Sequence, residues 1–210
     1  SNSFNLYASA GRKIRFPTMK NLYANGVIGP QGDPYMEKEK TNSYEFGSQF
    51  WIKDIVKVEG AIFYNDIKNL ILFDNQIGRF EQYEKATIYG AEVSLFAQFT
   101  SSLTGRLNYT YLVAQNDNSI VTIETKNLKN DLVYKPDEIP YRPKHKIGMD
   151  LTKSFNSGFK IHLNGSLVLD QIYYDHADSA DNSNFVSEKK SLNNYFLLNT
   201  KITYDLSNTF

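Results

Sequence analysis

The stretch TNSYEFGSQFWIKDIVKVEGAIFYND, residues 41–66, decides the fold of this chain. Apolar and polar residues alternate through both of its halves, and only a turn near Lys53 separates the halves. A period of two is typical of strands that present one apolar and one polar face. Each half is about ten residues long, whereas strands average about 5–6 residues. The stretch therefore predicts a hairpin of two unusually long strands.

The same alternation recurs along the chain and predicts eight antiparallel strands and no helix. The six further strands begin near Phe4, Ala91, Leu103, Ile147, Phe159 and Phe196. The predicted connections alternate between short turns and long loops. The turns are residues 53–54, 100–102, 156–158 and 207–208, and the long loops are residues 15–40, 67–82, 115–143 and 173–193.

Composition excludes several functions. The 210 residues contain no cysteine, so there is no disulfide framework, thiolate metal site or thiol nucleophile. The 23 basic and 23 acidic side chains cancel and give no attraction toward nucleic acid. No window approaches the roughly 20 apolar residues of a membrane helix. A membrane barrel would escape that test, because its lipid-facing residues alternate with polar ones.

The length of the predicted loops distinguishes between two folds that the strands could form. A soluble antiparallel sandwich shares the alternation, but structureless loops of about 20 residues are uncommon in compact soluble domains. An outer-membrane barrel has short turns on one rim and long loops on the other. Aromatic residues at the strand ends also suit the interface girdles of a barrel. They are Tyr44, Trp51, Tyr64, Tyr89, Phe99, Tyr111, Phe155, Phe159 and Tyr204.

Six segments resemble, in order and spacing, the barrel of TonB-dependent outer-membrane receptors. They are YASAGRKIRFPTMKNLY (7–23), KEKTNSYEFGSQF (38–50), FYNDIKNLI (63–71), KATIYGAEVSL (85–95), NYTYLVA (108–114) and IPYRPKHKIGMDL (139–151). Each segment is weak alone, and the ordered series is specific. The resemblance implies an all-β, antiparallel up-and-down transmembrane β-barrel, of which these eight strands are part of a wall of 22.

The resemblance also implies a function and partners. Such receptors lie in the outer membrane of Gram-negative bacteria and import a scarce ligand, such as a ferric siderophore or cobalamin, with energy relayed by TonB. We expect residues 1–210 to be a partial barrel domain that lacks the plug domain and the last strands. The first residues, SNSFNLYASAG, lack the features of a signal peptide. Expected partners are TonB through the plug, the plug itself, lipid, lipopolysaccharide and a small metal chelate.

Candidate site residues fall into two groups. The basic residues at the first long loop and the loop tyrosines are candidates for ligand contact. Such a basic cluster is more often a solvated or lipopolysaccharide-binding rim, and an aromatic girdle explains the tyrosines at least as well. They are Arg12, Lys13, Arg15, Tyr23, Tyr35, Tyr134, Tyr173 and Tyr174. Glu45, Glu92 and Arg106 are predicted to face the lumen and hold the plug by charge-assisted hydrogen bonds. The alternative is that these three are ordinary solvated wall positions.

Neither a metal site nor catalysis is predicted. Residues 170–181, DQIYYDHADSAD, contain carboxylates and a histidine, but their spacing matches no calcium loop. No catalytic motif occurs, so we expect no enzyme and no cofactor.

The alternative function is a passive porin or a small self-contained adhesion barrel. Eight strands suffice for closure, but the last strand would have to pair with the first. Long polar side chains would also crowd a narrow interior. They are Lys57, Glu59, Arg106, Lys146, Lys160 and Lys201.

Overall fold

A computed structural model describes residues 3–26, 30–53, 55–74, 78–117, 120–123, 131–134, 137–177 and 186–205. These residues form twelve strands and one short helix. The strands are β1 (Ser3–Arg15), β2 (Glu39–Ile52), β3 (Val56–Asp74), β4 (Arg79–Thr100), β5 (Leu103–Asn116), β6 (Ile120–Ile123), β7 (Asp131–Tyr134), β8 (His145–Ser154), β9 (Phe159–Leu169), β10 (Gln171–Ala177), β11 (Val186–Leu192) and β12 (Tyr195–Tyr204); the helix is α1 (Met19–Tyr23).

Eight of these strands form one sheet in the order β1-β2-β3-β4-β5-β8-β9-β12. All neighbours are antiparallel. The eight-stranded up-and-down meander predicted from sequence is confirmed. The sheet is open among the described residues, with β1 and β12 as its edges. The four remaining strands form two separate hairpins, β6–β7 and β10–β11.

Two sequence predictions about the connections are wrong. Residues 67–82 are not a long loop, because β3 continues to Asp74 and β4 begins at Arg79. Two other predicted loops contain the hairpins β6–β7 and β10–β11. The alternation that marks a strand is lost after Ile67, since Ile67, Leu70 and Ile71 are all buried. A strand covered on both faces has no polar face to reveal it.

The prediction of no helix is also wrong, because the chain forms the short helix α1, which is five residues long. Thr18 caps α1, accepting from the backbone N–H of Asn21, and the Asn21 side chain accepts from the backbone N–H of Thr18. This reciprocal capping holds a helix too short to show an apolar period. No helix in the described part of the chain is long and apolar enough to cross a membrane.

The sheet has two chemically different faces, which we call the apolar face and the polar face. Register aligns apolar side chains across the strands, as in the row Val93–Tyr109–Ile147–Leu167–Phe196. These side chains are not covered: Ile62 is 61% exposed, Val93 49% and Leu198 59%. A sandwich would bury them against a second layer. The described residues provide no such layer, which favours the membrane wall.

Aromatic rings mark the two ends of the apolar face. Tyr44, Tyr64 and Tyr89 stand in one row across β2, β3 and β4 near the long-loop end. Phe99 lies ten residues further along β4, near the short turns. At about 3.4 Å per residue and a tilt of about 40°, ten residues span roughly 26 Å. That distance matches the apolar band of about 25 Å in outer-membrane barrels.

The largest buried cluster lies on the polar face, at the long-loop end. It comprises Ile67, Leu70, Tyr83, Ala86, Ala114 and Ile139. Ile139 belongs to residues 137–144, which we call the strap. The strap runs alongside the end of β5, where the Ile139 N–H donates to the Ala114 carbonyl at 3.0 Å. The strap thereby covers part of the polar face with the chain's own residues.

We predict that an arginine on the apolar face is far more disruptive than one on the polar face. Val93→Arg places a charge near the middle of the apolar band and should destabilise the folded wall by about 2–4 kcal/mol. Thr110→Arg is the matched control, because Thr110 lies opposite Glu92 on the polar face. Urea unfolding of the full-length protein in lipid vesicles measures the difference, and equal losses of stability would contradict the assignment of faces.

Candidate functional site

The polar face carries connected side chains between the strap and the short turns. On β2 and β3, register places Gln49 opposite Glu59. The Gln49 Nε2 donates to Glu59 Oε1 at 2.7 Å, and Lys57 Nζ lies 2.7 Å from the same oxygen. On β4 and β5, Ser94 donates to Asn108 at 2.8 Å. The network orients the carboxylate of Glu59 along the wall.

A second polar network crosses β8, β9 and β12. Register aligns Arg106, Asp150, Asn164 and Asn199 in one row. The Asn164 Nδ2 donates to Asp150 Oδ1 at 2.7 Å, and Asn199 Nδ2 donates to Asn164 Oδ1 at 3.4 Å. Arg106 therefore stands directly opposite an acidic residue, while its own side chain remains exposed.

All three residues predicted to hold a plug lie on this polar face. Glu45 is exposed and stands beside Tyr7, while Glu92 is exposed and accepts a long hydrogen bond from Thr110 at 3.4 Å. Exposed charges on a polar wall are available to a partner. Their role in holding a plug stays a prediction.

Gly90 brings β4 close to β5 just before Glu92. A Cβ at this position would lie 2.0 Å from the Tyr111 backbone oxygen and 2.8 Å from the Phe63 ring. Only glycine tolerates that approach without a shift of the backbone. The glycine two residues before Glu92 thus has a structural role.

The basic candidates Arg12 and Arg15 do not converge. Arg12 lies within β1 on the apolar face, opposite Asn42, rather than in a loop. Arg15, at the end of β1, pairs with Glu39 at 2.9 Å and donates to the Ile71 carbonyl at 3.0 Å. Much of the positive charge of Arg15 is therefore engaged in joining β1, β2 and β3. Ligand contact by either arginine stays a prediction.

The candidate tyrosines are spread over four parts of the chain. Tyr23 ends α1 and Tyr35 lies in a turn, where it is 86% exposed. Tyr173 and Tyr174 are half-buried in β10, opposite Lys190 and Lys189. The backbone of Tyr134 is in β7, and its side chain lies outside the described part. Exposure makes Tyr23 and Tyr35 the most accessible of the set.

The structure shows an ionic link that the sequence analysis missed. Glu138 in the strap accepts from Lys144 at 2.7 Å and from Lys189 of β11. Partial burial alone would raise the pKa of Glu138, but the hydrogen bonds from Lys144 and Lys189 outweigh burial and hold this pKa below its usual value. The Glu138 hydrogen bond in turn raises the pKa of Lys144. The link fastens the strap to the β10–β11 hairpin, and no local motif reveals a pair 51 residues apart.

No group of metal-ligating side chains occurs among the described residues. The acidic segment 170–181 is only partly described: Asp178 and Asp181 lie outside the described residues, as do the side chains of Asp175 and His176.

A long-stranded antiparallel wall with an exposed apolar face defines an outer-membrane β-barrel architecture, and the chain belongs to the family described as TonB dependent receptor-like, beta-barrel, whose model matches residues 1–210. No curated protein sequence matches the chain significantly. The fold is the antiparallel up-and-down transmembrane barrel of this family, seen here as an open section of eight strands.

Solved structures share this fold at low sequence identity. The siderophore receptor PirA from Acinetobacter baumannii is 19% identical, with a TM-score of 0.67. The ferric enterobactin receptor PfeA from Pseudomonas aeruginosa is 17% identical, with a TM-score of 0.66. The copper transporter OprC is 17% identical, with a TM-score of 0.63. Each comparison covers 98% of this chain but only 29–33% of the other chain.

We predict that Glu138→Gln loosens the strap. Losing the carboxylate should speed amide exchange in residues 137–144 about fivefold, an effect of about 1 kcal/mol because both lysines are partly exposed. Hydrogen exchange with mass spectrometry measures this at pH 7, and Asp137→Asn is the matched control.

The stabilisation of the strap by Glu138 should weaken as the pH falls. A lowered folded-state pKa means that Glu138 contributes stability above its ordinary value of 4.5 and loses that contribution as the pH falls below it. The raised pKa of Lys144 preserves its contribution up to at least 10.5. Wild type and Glu138→Gln should therefore differ at pH 7 and converge only as the pH falls through the lowered folded-state pKa of Glu138. A difference that persists at low pH would show that the charge of Glu138 is not responsible.

Proposed function

We propose that this chain is part of the wall of an outer-membrane active transporter that imports a metal chelate with energy relayed by TonB. The main observation behind the proposal is that both the apolar face and the polar face of the sheet are exposed. The apolar face is exposed across a band of about 26 Å, which suits the hydrocarbon of an outer membrane. The polar face is exposed below the strap, which suits a plug domain or an aqueous lumen.

The polar face supports a plug more than an open pore. Glu45, Glu92 and Arg106 are exposed charges on a wall where several other polar side chains are hydrogen-bonded to one another, such as Gln49 with Glu59 and Asn164 with Asp150. Charge-assisted hydrogen bonds to a docked domain contribute about 1.5–3 kcal/mol each. A plug held by several such bonds can be displaced as a unit when an external force shifts its equilibrium between two positions.

The names of the solved structures that share this fold guide the choice of ligand. Two of them are receptors for siderophores and one is a copper transporter. We propose a ferric siderophore as the ligand, with cobalamin as a second possibility within the same mechanism. On this chain the exposed Tyr23 and Tyr35 at the long-loop end are the proposed contacts, because aromatic rings can stack on a chelate's flat groups.

The alternative of a small self-contained barrel requires β12 to pair with β1. The described strands contain no such pair, since β1 pairs with β2 and β12 pairs with β9. An open edge is not tolerated in hydrocarbon. We therefore favour a larger wall completed by other strands.

Uptake by cells tests the proposed function. Cells expressing the full-length protein as their only outer-membrane iron receptor should accumulate ⁵⁵Fe from ferric enterobactin, and a protonophore should abolish accumulation. A passive porin would give uptake that continues in de-energised cells. Energy-independent uptake, or none with any of ferric enterobactin, copper and cobalamin, would contradict the proposal.

Plug contact can be tested on the chain's own residues. We predict that Glu45→Gln combined with Arg106→Gln weakens the seal and raises the entry of a large antibiotic such as vancomycin several-fold, because two charged anchors are lost. Asp66→Asn, a loss of charge on the apolar face of β3, is the control. Unchanged antibiotic entry in the double variant would count against a role in holding the plug.

A further inference from the structure

The β10–β11 hairpin, which we call the arm, continues the β9–β12 pair at the long-loop end. β9 ends at Leu169 and β10 begins at Gln171, while β11 ends at Leu192 and β12 begins at Tyr195. Both strands are therefore interrupted at the same level, and the arm forms a sheet separate from the wall. Two interruptions side by side make a joint, because a few residues at the ends of elements can absorb a change of direction.

The backbone at this joint is strained. Asp170 has a φ of 54°, in the left-handed region that non-glycine residues seldom adopt. Tyr141 of the strap has a φ of 57°, and its N–H donates to the Ile172 carbonyl at 2.9 Å. Four non-glycine residues have a positive φ in the described part of the chain, and two of them meet here. Such strain persists where the surrounding contacts impose it, and it is common in segments that switch.

Further contacts hold the arm in its observed position. The Asp170 N–H donates to Asn194 Oδ1 at 3.0 Å, and the Asp170 carbonyl accepts from the Lys144 N–H at 3.1 Å. Further along the arm, Lys189 of β11 donates to Glu138 of the strap. The strap therefore contacts the arm both at the joint and beyond it.

The same short strap enters the apolar core on the polar face. Ile139 is only 1% exposed and packs in the cluster described above. Glu138 directly precedes Ile139, and Tyr141 follows it by two positions, so the contacts with the arm flank the core residue. Close-packed cores do not deform continuously. A shift of the strap that breaks its contacts with the arm must therefore also disturb the seat of Ile139.

We propose that the arm and the strap form one two-state unit, in which release of the arm from Glu138 and Tyr141 and withdrawal of Ile139 from the core are a single event. A molecule that bends the arm then uncovers the core on the polar face, and a change that displaces Ile139 releases the arm. Such coupling is reciprocal by thermodynamic necessity. It goes beyond the proposed function, because it does not depend on any transported ligand.

Hydrogen exchange with mass spectrometry on the full-length protein, without ligand, tests the coupling. An isolated two-stranded hairpin is only marginally stable in water, so amides of the arm exchange when the arm is released. Ile139→Ala leaves a cavity in the core and should speed exchange at least tenfold in the strap and in the arm alike. Ile139→Val, a smaller change that spares the fold, should speed both segments about fivefold.

A lesion in the arm should act in the opposite direction. Lys189→Gln removes one of the two lysines that bind Glu138 and should speed exchange about threefold in the arm and in the strap. Lys160→Gln, a loss of an exposed lysine from the polar face, is its matched control. Ile71→Ala is the control for Ile139, because Ile71 is 5% exposed but lies outside the cluster. Both controls should leave the arm within twofold of wild type.

Equal factors in the two segments would identify a single opening event. Faster exchange of the strap alone in both Ile139 variants, or of the arm alone in Lys189→Gln, would overturn the proposal. Faster exchange of the arm in Ile71→Ala would also overturn it, because the effect would then be a general loss of stability. Uptake of ⁵⁵Fe plays no part in this experiment, so failure of the coupling is distinguishable from failure of the transport function.

Discussion

Hydrocarbon offers no hydrogen-bond partner to a peptide N–H or C=O, and this constraint organises the whole chain. A wall that meets it must pair its backbone groups between neighbouring strands over the full thickness of the membrane. The eight strands of the sheet do so with lengths of 10 to 22 residues. Their common register gathers apolar side chains on one face and polar ones on the other. That separation gives the wall one face for lipid and one face for the lumen.

The polar face is organised in two zones with different physical roles. Near the long loops the strap and the ends of β3, β4 and β5 form a small apolar core, fastened by Glu138 to Lys144 and Lys189. Nearer the short turns the face is polar, internally hydrogen-bonded and uncovered. A rigid wall with exposed charges suits contact with a movable domain, because the wall keeps its shape when the contact breaks. The strap stiffens the end at which a ligand would arrive.

The sequence predicted the parts of the fold that follow from a period of two. The alternation of residues 41–66 reappears as β2 and β3, and Glu45, Glu92 and Arg106 lie on the polar face as their parity indicates. The prediction of strands failed where the alternation of apolar and polar residues is lost. Ile67, Leu70 and Ile71 are all buried although their positions do not alternate, so a continuous strand looked like a loop. The contacts of Arg15 with Glu39 and of Glu138 with Lys189 were not predictable, because they join residues distant in the chain.

Cysteine accessibility along β4 tests the central claim most directly, and the 210 residues offer no native cysteine to interfere. Single cysteines from position 89 to 99 in the full-length protein, reconstituted in lipid vesicles and spin-labelled, report collision with oxygen and with a water-soluble nickel chelate. The account predicts that oxygen collisions peak at positions 91, 93, 95 and 97 and fall at 92, 94 and 96. Collision rates without a period of two along β4 would contradict it.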